Sequence, residues 1–435
     1  MNKNKFEGIM ANELTPMLLH LKAFTDVGYY TFIIPTKIVI TSESEILRNK
    51  VFSSYSNFYR KLFCGLIYTI IFCHHCFFPS DIHMAVSHGP LAMVELYRRV
   101  LAAIVFIIAT TIFWRMEDRF LQIFRIIQGS ACILGTNSWW QSARFIGTII
   151  TLSYMWFFFI VTPLDLLLDV GVGGEGLHLN VTTALNRLYS RSQRMLFRRP
   201  EDVPSVTIDT INFDQSVQSG LYFVLYFFTT WIQTTLEALV LHILFLCCHY
   251  VARFEKWYKK LGKEGESDQE LVNLILNQYD QVTKLMGTVN ALVGPGLVIV
   301  MVLYLPFYAV YAGLLTVRKN FTTRTLIVAV LRYGIYLIQM VMGAEIHRNG
   351  NEFISWISAR FLENISPNRL ITFTMDLHTH PIAMKGSGCF TLTYKFMSSI
   401  VGVLITYAIL VAQFQDGRYR YSEQEVDTTN STFGG

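Results

Sequence analysis

Seven times along its 435 residues this chain runs apolar for long enough to cross the ~30 Å hydrocarbon core of a bilayer. The runs fall at 62–78, 96–114, 145–163, 220–248, 288–315, 325–346 and 391–415. In lipid each backbone N–H and C=O must find its partner within the protein, so such runs read as helices. Only 15% of the residues are charged, against about 25% in soluble domains. The expected fold class is an all-α polytopic membrane protein with seven transmembrane helices. The second run is the least regular, because Arg98 and Arg99 stand in its first turn and have to snorkel to the interface.

An odd number of spans puts the two termini on opposite faces. Seven basic residues precede Lys61 and none lies in 80–95, which places the N-terminus inside and the C-terminus outside. The sequons at Asn180, Asn320 and Asn430 then face outwards, whereas the one at Asn364 is cytoplasmic. Residues 1–61 form a cytoplasmic N-terminal segment, 62–415 the membrane domain and 416–435 an extracellular tail. Apolar stretches in the first segment, such as Met17-Leu18-Leu19, are too short for a cleavable signal, so the first span serves as the insertion signal. None of the seven cysteines falls in an expected outer loop, so no disulfide framework is implied. The net charge of +5 suits cytoplasmic segments facing anionic membrane lipid; nothing points to nucleic acid as a partner.

There is no internal repeat, which weighs against a solute transporter. The longest outer loop, 164–219, includes a glycine-rich stretch and a basic one and reads as a cap on the extracellular face. On the cytoplasmic side, Ser267 and Glu270 form a capping box ahead of Leu271, Leu274, Ile275, Val282 and Leu285 at helical spacing. This helix is expected to run unbroken into the fifth span as a rod longer than the bilayer requires. Its apolar face packs either against another subunit or within its own. Between spans six and seven, 367–382 reads as a short helix ended by Gly386 and Gly388.

No metalloprotease, phosphate-loop or nucleophile-elbow motif occurs, so the chain is not read as an enzyme and no cofactor is implied. Cys73 and Cys76 stand at i and i+3, but His74 and His75 point elsewhere on a helix, so no metal site is assigned. A G-protein-coupled receptor would carry an acidic-Arg-Tyr triplet after span three. Here Met116-Glu117-Asp118-Arg119 follows span two instead, and the last span has no proline.

Three polar and aromatic stripes lie on spans four to six. Tyr226, Thr230, Gln233 and Glu237 step by four, three and four residues, with Trp231 alongside. Tyr304, Tyr308 and Tyr311 share a second face, and Arg332, Tyr336 and Gln339 a third. Ionisable groups at membrane depth are costly and often functional. Glu237 and Arg332 either pair with each other, or the stripes bound a pocket for a small molecule entering from outside. On the last span Ser398, Gly402, Thr406 and Gln413 fall near one stripe, suited to close helix packing or to lining a pore. One subunit of seven helices offers no hole, so a pore needs several copies around this helix.

The chain resembles the insect gustatory receptor family, within the superfamily that also holds the insect odorant receptors. The family ends in a Thr-Tyr-(five residues)-Gln-Phe signature, and this chain reads Thr406-Tyr407-Ala408-Ile409-Leu410-Val411-Ala412-Gln413-Phe414. Gly388-Cys389-Phe390-Thr391-Leu392 ahead of the last span is similar to the family's Gly-x-Phe segment, and the spacing in 271–297 is similar to its entry into span five. The resemblance implies a ligand-gated, non-selective cation channel of the plasma membrane, multi-pass, in sensory neurons, opened by a small-molecule tastant. It implies a homotetramer, or a heteromer with related receptors, around a central pore. Thr406, Tyr407 and Ile409 would lie along that pore, with Gln413 and Phe414 at the gate. Cytoplasmic parts 249–287 and 347–390 would form an intersubunit anchor. The alternatives are a metabotropic seven-transmembrane receptor and a solute transporter. Sugar receptors of the family often have Glu where this chain has Ala408.

Overall fold

A computed structural model describes residues 16–41, 51–55, 57–76, 90–134, 213–264, 269–305, 323–361 and 381–410, with Met375 and Gln413. The expected third span, 145–163, the outer loop as far as residue 212 and the sequons lie outside the described residues, whereas 213–219 of that expected loop are already helical as the start of α4. The chain is mostly helical. In order come α1 (Pro16–Tyr30), β1 (Lys37–Thr41), β2 (Val51–Tyr55), α2 (Phe58–Cys76), α3 (Pro90–Leu134), α4 (Phe213–Glu264) and α5 (Gln269–Val298). A π-helix (Ile299–Tyr304), α6 (Thr323–Phe361), β3 (Lys385–Gly386), β4 (Phe390–Thr391) and α7 (Tyr394–Leu410) follow.

Two of the helices that carry expected spans are much longer than a membrane requires. At about 1.5 Å per residue, the 52 residues of α4 reach roughly 78 Å and the 39 of α6 roughly 58 Å. Both rods exceed the ~30 Å that a hydrocarbon core requires. Within the described residues, 216–262 and 270–303 meet the length and apolarity of a membrane-crossing helix, and Ala103–Arg115 and Tyr394–Leu410 are shorter apolar helices. The rod expected ahead of span five is present, since α5 runs unbroken from Gln269 to Val298. Pro295 near its end has no N–H for the helical ladder, and the backbone widens into the π turn just beyond it.

Two antiparallel hairpins depart from the all-α expectation. In the first, Lys37 pairs with Tyr55 and Thr41 with Val51. It belongs to an N-terminal segment that packs against the long helices. Pro16 opens α1 at the position where a missing N–H costs nothing. Leu21 and Phe24, three residues apart, are buried, and the Phe24 ring lies 5.2 Å from that of His242 on α4. Gly28 lets the chain fold back: a Cβ there would meet Ile34 Cδ1 at 2.3 Å. Glu117, from the acidic motif after span two, bonds with Lys61 at 3.7 Å and accepts from Thr36 at 3.5 Å, tying α3 to this segment.

In the second hairpin Lys385 stands opposite Thr391 and Gly386 opposite Phe390; most of the short helix expected over 367–382 lies outside the described residues. Gly386 ends β3 and Gly388 lies in the turn to β4, with a φ of 80°, a left-handed conformation that glycine adopts without strain.

At the ends of α4, α5 and α6 away from the expected outer face, aromatic rings interlock. Tyr279 stacks on Phe353 at 4.9 Å, Phe254 lies 5.0 Å from Phe353, and Trp356 lies 4.6 Å from Tyr258. Ile275, Val282 and Leu285 of α5 are buried in the same chain, whereas Leu274 is exposed. Packing within its own subunit therefore takes most of the rod's apolar face.

Candidate functional site

The stripes on α4 and α6 meet. Glu237 is 3% exposed and Tyr336 0%, and the Tyr336 phenol donates to Glu237 Oε1 at 3.4 Å. One of the two groups expected to pair, Glu237, thus takes a phenol from the same face of α6 that carries Arg332, one turn away. The Arg332 side chain lies outside the described residues. Trp231 is buried and stacks in parallel on Phe227, with ring centroids 6.4 Å apart. Gln233 is half-buried. Gln339, one turn after Tyr336, is fully buried, and its amide meets no hydrogen-bond partner among the described residues. The side chain of Tyr226, together with Tyr308 and Tyr311, lies outside the described residues.

The last helix has a firm foot and a bare shaft. Thr393 caps it, its hydroxyl accepting from Phe396 N–H at 3.0 Å. Phe396, Met397, Ile400, Val401 and Leu404 pack against the chain's own core along one stripe. On the rest, Val403 is 63% exposed, Tyr407 and Ile409 both 52%, and Ser398, Gly402, Thr406 and Gln413 are exposed as well. The stripe singled out in the sequence therefore faces away from its own subunit. Its hydroxyls are satisfied locally, Ser398 to Lys395 O at 3.0 Å and Thr406 to Gly402 O at 2.9 Å, which makes them tolerable away from water. Phe414 lies outside the described residues.

The foot is held by elements that sequence reasoning did not connect. Asn290 on α5 donates to Ala383 O and accepts from Lys385 N–H, both at 2.9 Å, so its amide substitutes for a neighbouring strand. One turn on, a Cβ on Gly294 would meet Ser387 N at 2.9 Å. On α6, a Cβ on Gly343 would meet Leu392 Cδ1 at 2.4 Å and one on Gly350 would meet Ile382 O at 2.8 Å. Glycines on α5 and α6 thus admit the β3–β4 hairpin and its flanks. Phe390 of β4 stacks on Phe396 at 4.7 Å.

Charged groups continue the joint on the α6 side. Tyr394 donates to Glu345 Oε1 at 2.5 Å, while Glu345 Oε2 bonds with Arg348 at 2.7 Å. Arg348 reaches Glu352 at 3.6 Å, and Glu352 reaches Lys259 of α4 at 3.1 Å. Lys259 holds the Glu352 carboxyl below its ordinary range, and its bond to Glu255 raises the ammonium of Lys259 in turn. No cluster of three metal-ligating side chains occurs among the described residues.

No protein-family model matches the chain, and no curated protein does. Among solved structures it is similar to the insect olfactory receptor OR5 from Machilis hrabei, with a TM-score of 0.58 and 11% identity over 91% of this chain and 97% of that one. The same receptor in complex with eugenol gives 0.56 and 10%, over 92% and 98%. The chain has the fold of an insect olfactory receptor. That likeness spans nearly the whole of both chains.

Proposed function

We propose that the chain is a chemosensory ligand-gated cation channel of the plasma membrane, of the gustatory branch of the insect chemoreceptor superfamily. Four copies, identical or mixed with related receptors, surround a pore lined by α7, with the N-terminus inside and the C-terminus outside. The observation that carries this reading is the bare outer face of α7. Apolar residues such as Val403 and Ile409 alternate there with Gly402, Thr406 and Gln413. A terminal helix fastened at its foot and uncovered along its shaft suits assembly around an axis. The Thr-Tyr-(five residues)-Gln-Phe signature begins on this shaft with Thr406 and Tyr407, and the fold likeness supports the same assignment.

The gate is formed by Gln413 and Phe414, with Thr406, Tyr407 and Ile409 along the conduit and the pore-facing contacts. A ring of apolar groups closes a water column by dewetting. The ligand is a small-molecule tastant held between α4, the π-helix region and α6. Tyr226, Trp231, Gln233, Tyr308 and Tyr311 form its walls, with Glu237, Arg332 and Tyr336 the polar floor. Binding opens the channel through higher affinity for the open arrangement. The binding of eugenol by the Machilis receptor supports a small organic ligand here.

Two measurements test this. The particle purified in mild detergent should weigh as four chains, and cells expressing it with a calcium reporter should respond to members of a panel of sugars, bitter compounds and aromatic odorants. A monomeric particle without ion current in bilayers refutes the channel.

A further inference from the structure

We propose that α6 is a connecting rod in which Glu345 is the positioning residue for the foot of α7, carrying displacement at the Glu237–Tyr336 contact to that foot. The proposal rests on the channel reading for its purpose, though not for its geometry. Tyr336 and Glu345 stand nine residues apart on one helix, about 13 Å along its axis. No proline interrupts α6 from Thr323 to Phe361, so axial motion at one residue is transmitted to the other.

The two ends of the rod are each tied to a different helix. At Tyr336 the tie is to Glu237 of α4. At Glu345 it is to Tyr394, in the first turn of α7. The Glu345 carboxylate is held at both oxygens, by Tyr394 and by Arg348, so its orientation is fixed by α6 itself. A steric contact adds to the polar one, since Gly343 admits Leu392 just ahead of the helix cap. Farther along α7 the side-chain hydrogen bonds among the described residues are local: Ser398 and Ser399 bond to Lys395 O, and Thr406 to Gly402 O. Tyr394 is thus the point at which a polar contact from α7 to another helix is made within the described residues.

Hydrogen–deuterium exchange on the full chain in lipid nanodiscs reads this directly. Cutting the latch with Tyr394→Phe or Glu345→Ala should raise exchange across 394–400 by about tenfold, and Tyr336→Phe, acting through the rod, by about threefold. The double variant Tyr336→Phe/Tyr394→Phe should exchange no faster than Tyr394→Phe alone, because a rod without its latch transmits nothing. An unchanged 394–400 in Tyr336→Phe, or effects that multiply in the double variant, overturns the proposal. So does an equal rise across 16–30, which marks general loosening. Planar-bilayer recordings of the same preparations separate the two readings. If none conducts while the exchange pattern holds, the rod stands and the channel falls.

Discussion

Tyr336 on α6 gives its phenolic proton to Glu237 on α4, joining two long rods at a point where both groups are almost wholly shielded. At 3.4 Å the bond is long, yet it involves an ionisable acceptor in surroundings that solvate it poorly. Tyr336→Phe keeps the ring and removes only this donor. It should lower stability by about 1–2 kcal/mol, read as an earlier thermal transition in detergent. An unaltered transition would mean that the pair contributes nothing beyond packing.

The Asn290 clamp gives a sharper expectation. Two hydrogen bonds to backbone are lost in Asn290→Ala, leaving Ala383 O and Lys385 N–H without their partner. The cost should be about 2–3 kcal/mol, with limited proteolysis newly cutting the 385–391 turn. Gly294→Ala should act in the same direction for a steric reason, because its methyl would press on the Ser387 and Lys385 backbone. Protection of the turn in both variants would show that the hairpin is held elsewhere.

The ion pair of Lys259 with Glu352 predicts how the joined ends of α4 and α6 respond to acid. The Glu352 carboxyl is lowered chiefly by its hydrogen bond from Lys259, so the folded state binds a proton there less readily than the unfolded chain. Its contribution is therefore complete above the ordinary carboxylate range and disappears as pH falls through the depressed folded value. Both side chains are substantially solvated, 42% and 43% exposed, so the effect is modest. Thermal scans from pH 7 down to pH 3 should show a shallower decline for Glu352→Gln than for the unaltered protein. Parallel declines would remove the pair from the acid response.

Much of this was written in the order of the side chains. The apolar runs gave the helices, and the steps of three and four residues placed Glu237 and Tyr336 on faces that do meet. Period alone cannot say which two stripes meet, and the phenol beside Glu237 was hidden behind the more obvious charge of Arg332. The N-terminal helix escaped notice because Leu21 and Phe24 are too few to make an apolar run, and their burial depends on α4, over two hundred residues away. Gly386 and Gly388 were recognised as breakers, but a breaker between a helix and a turn of two-residue strands looks the same in sequence. The part played by Asn290 is a long-range contact to backbone and leaves no pattern at all. Glycines at 294, 343 and 350 offered a signal that could have been used, since glycines inside long helices often mark a close approach.

The remaining expectation concerns the C-terminal end of the last helix. Ile409 and Gln413 both face away from their own subunit, and Phe414 follows directly in sequence. If copies of this helix close a water column, the large apolar group is what keeps the narrowest point dry, since a hydrophobic constriction empties below a limiting width. Phe414→Ala replaces a ring by a methyl and should wet that point without removing the helix. Basal current without added ligand should rise about tenfold, equivalent to roughly 1.4 kcal/mol in the closed–open balance. Gln413→Ala, which removes a polar group and leaves the ring, should raise it much less. Equal basal currents in Phe414→Ala and the unaltered channel, at matched surface expression, would place the barrier to ions at some other level of the pore.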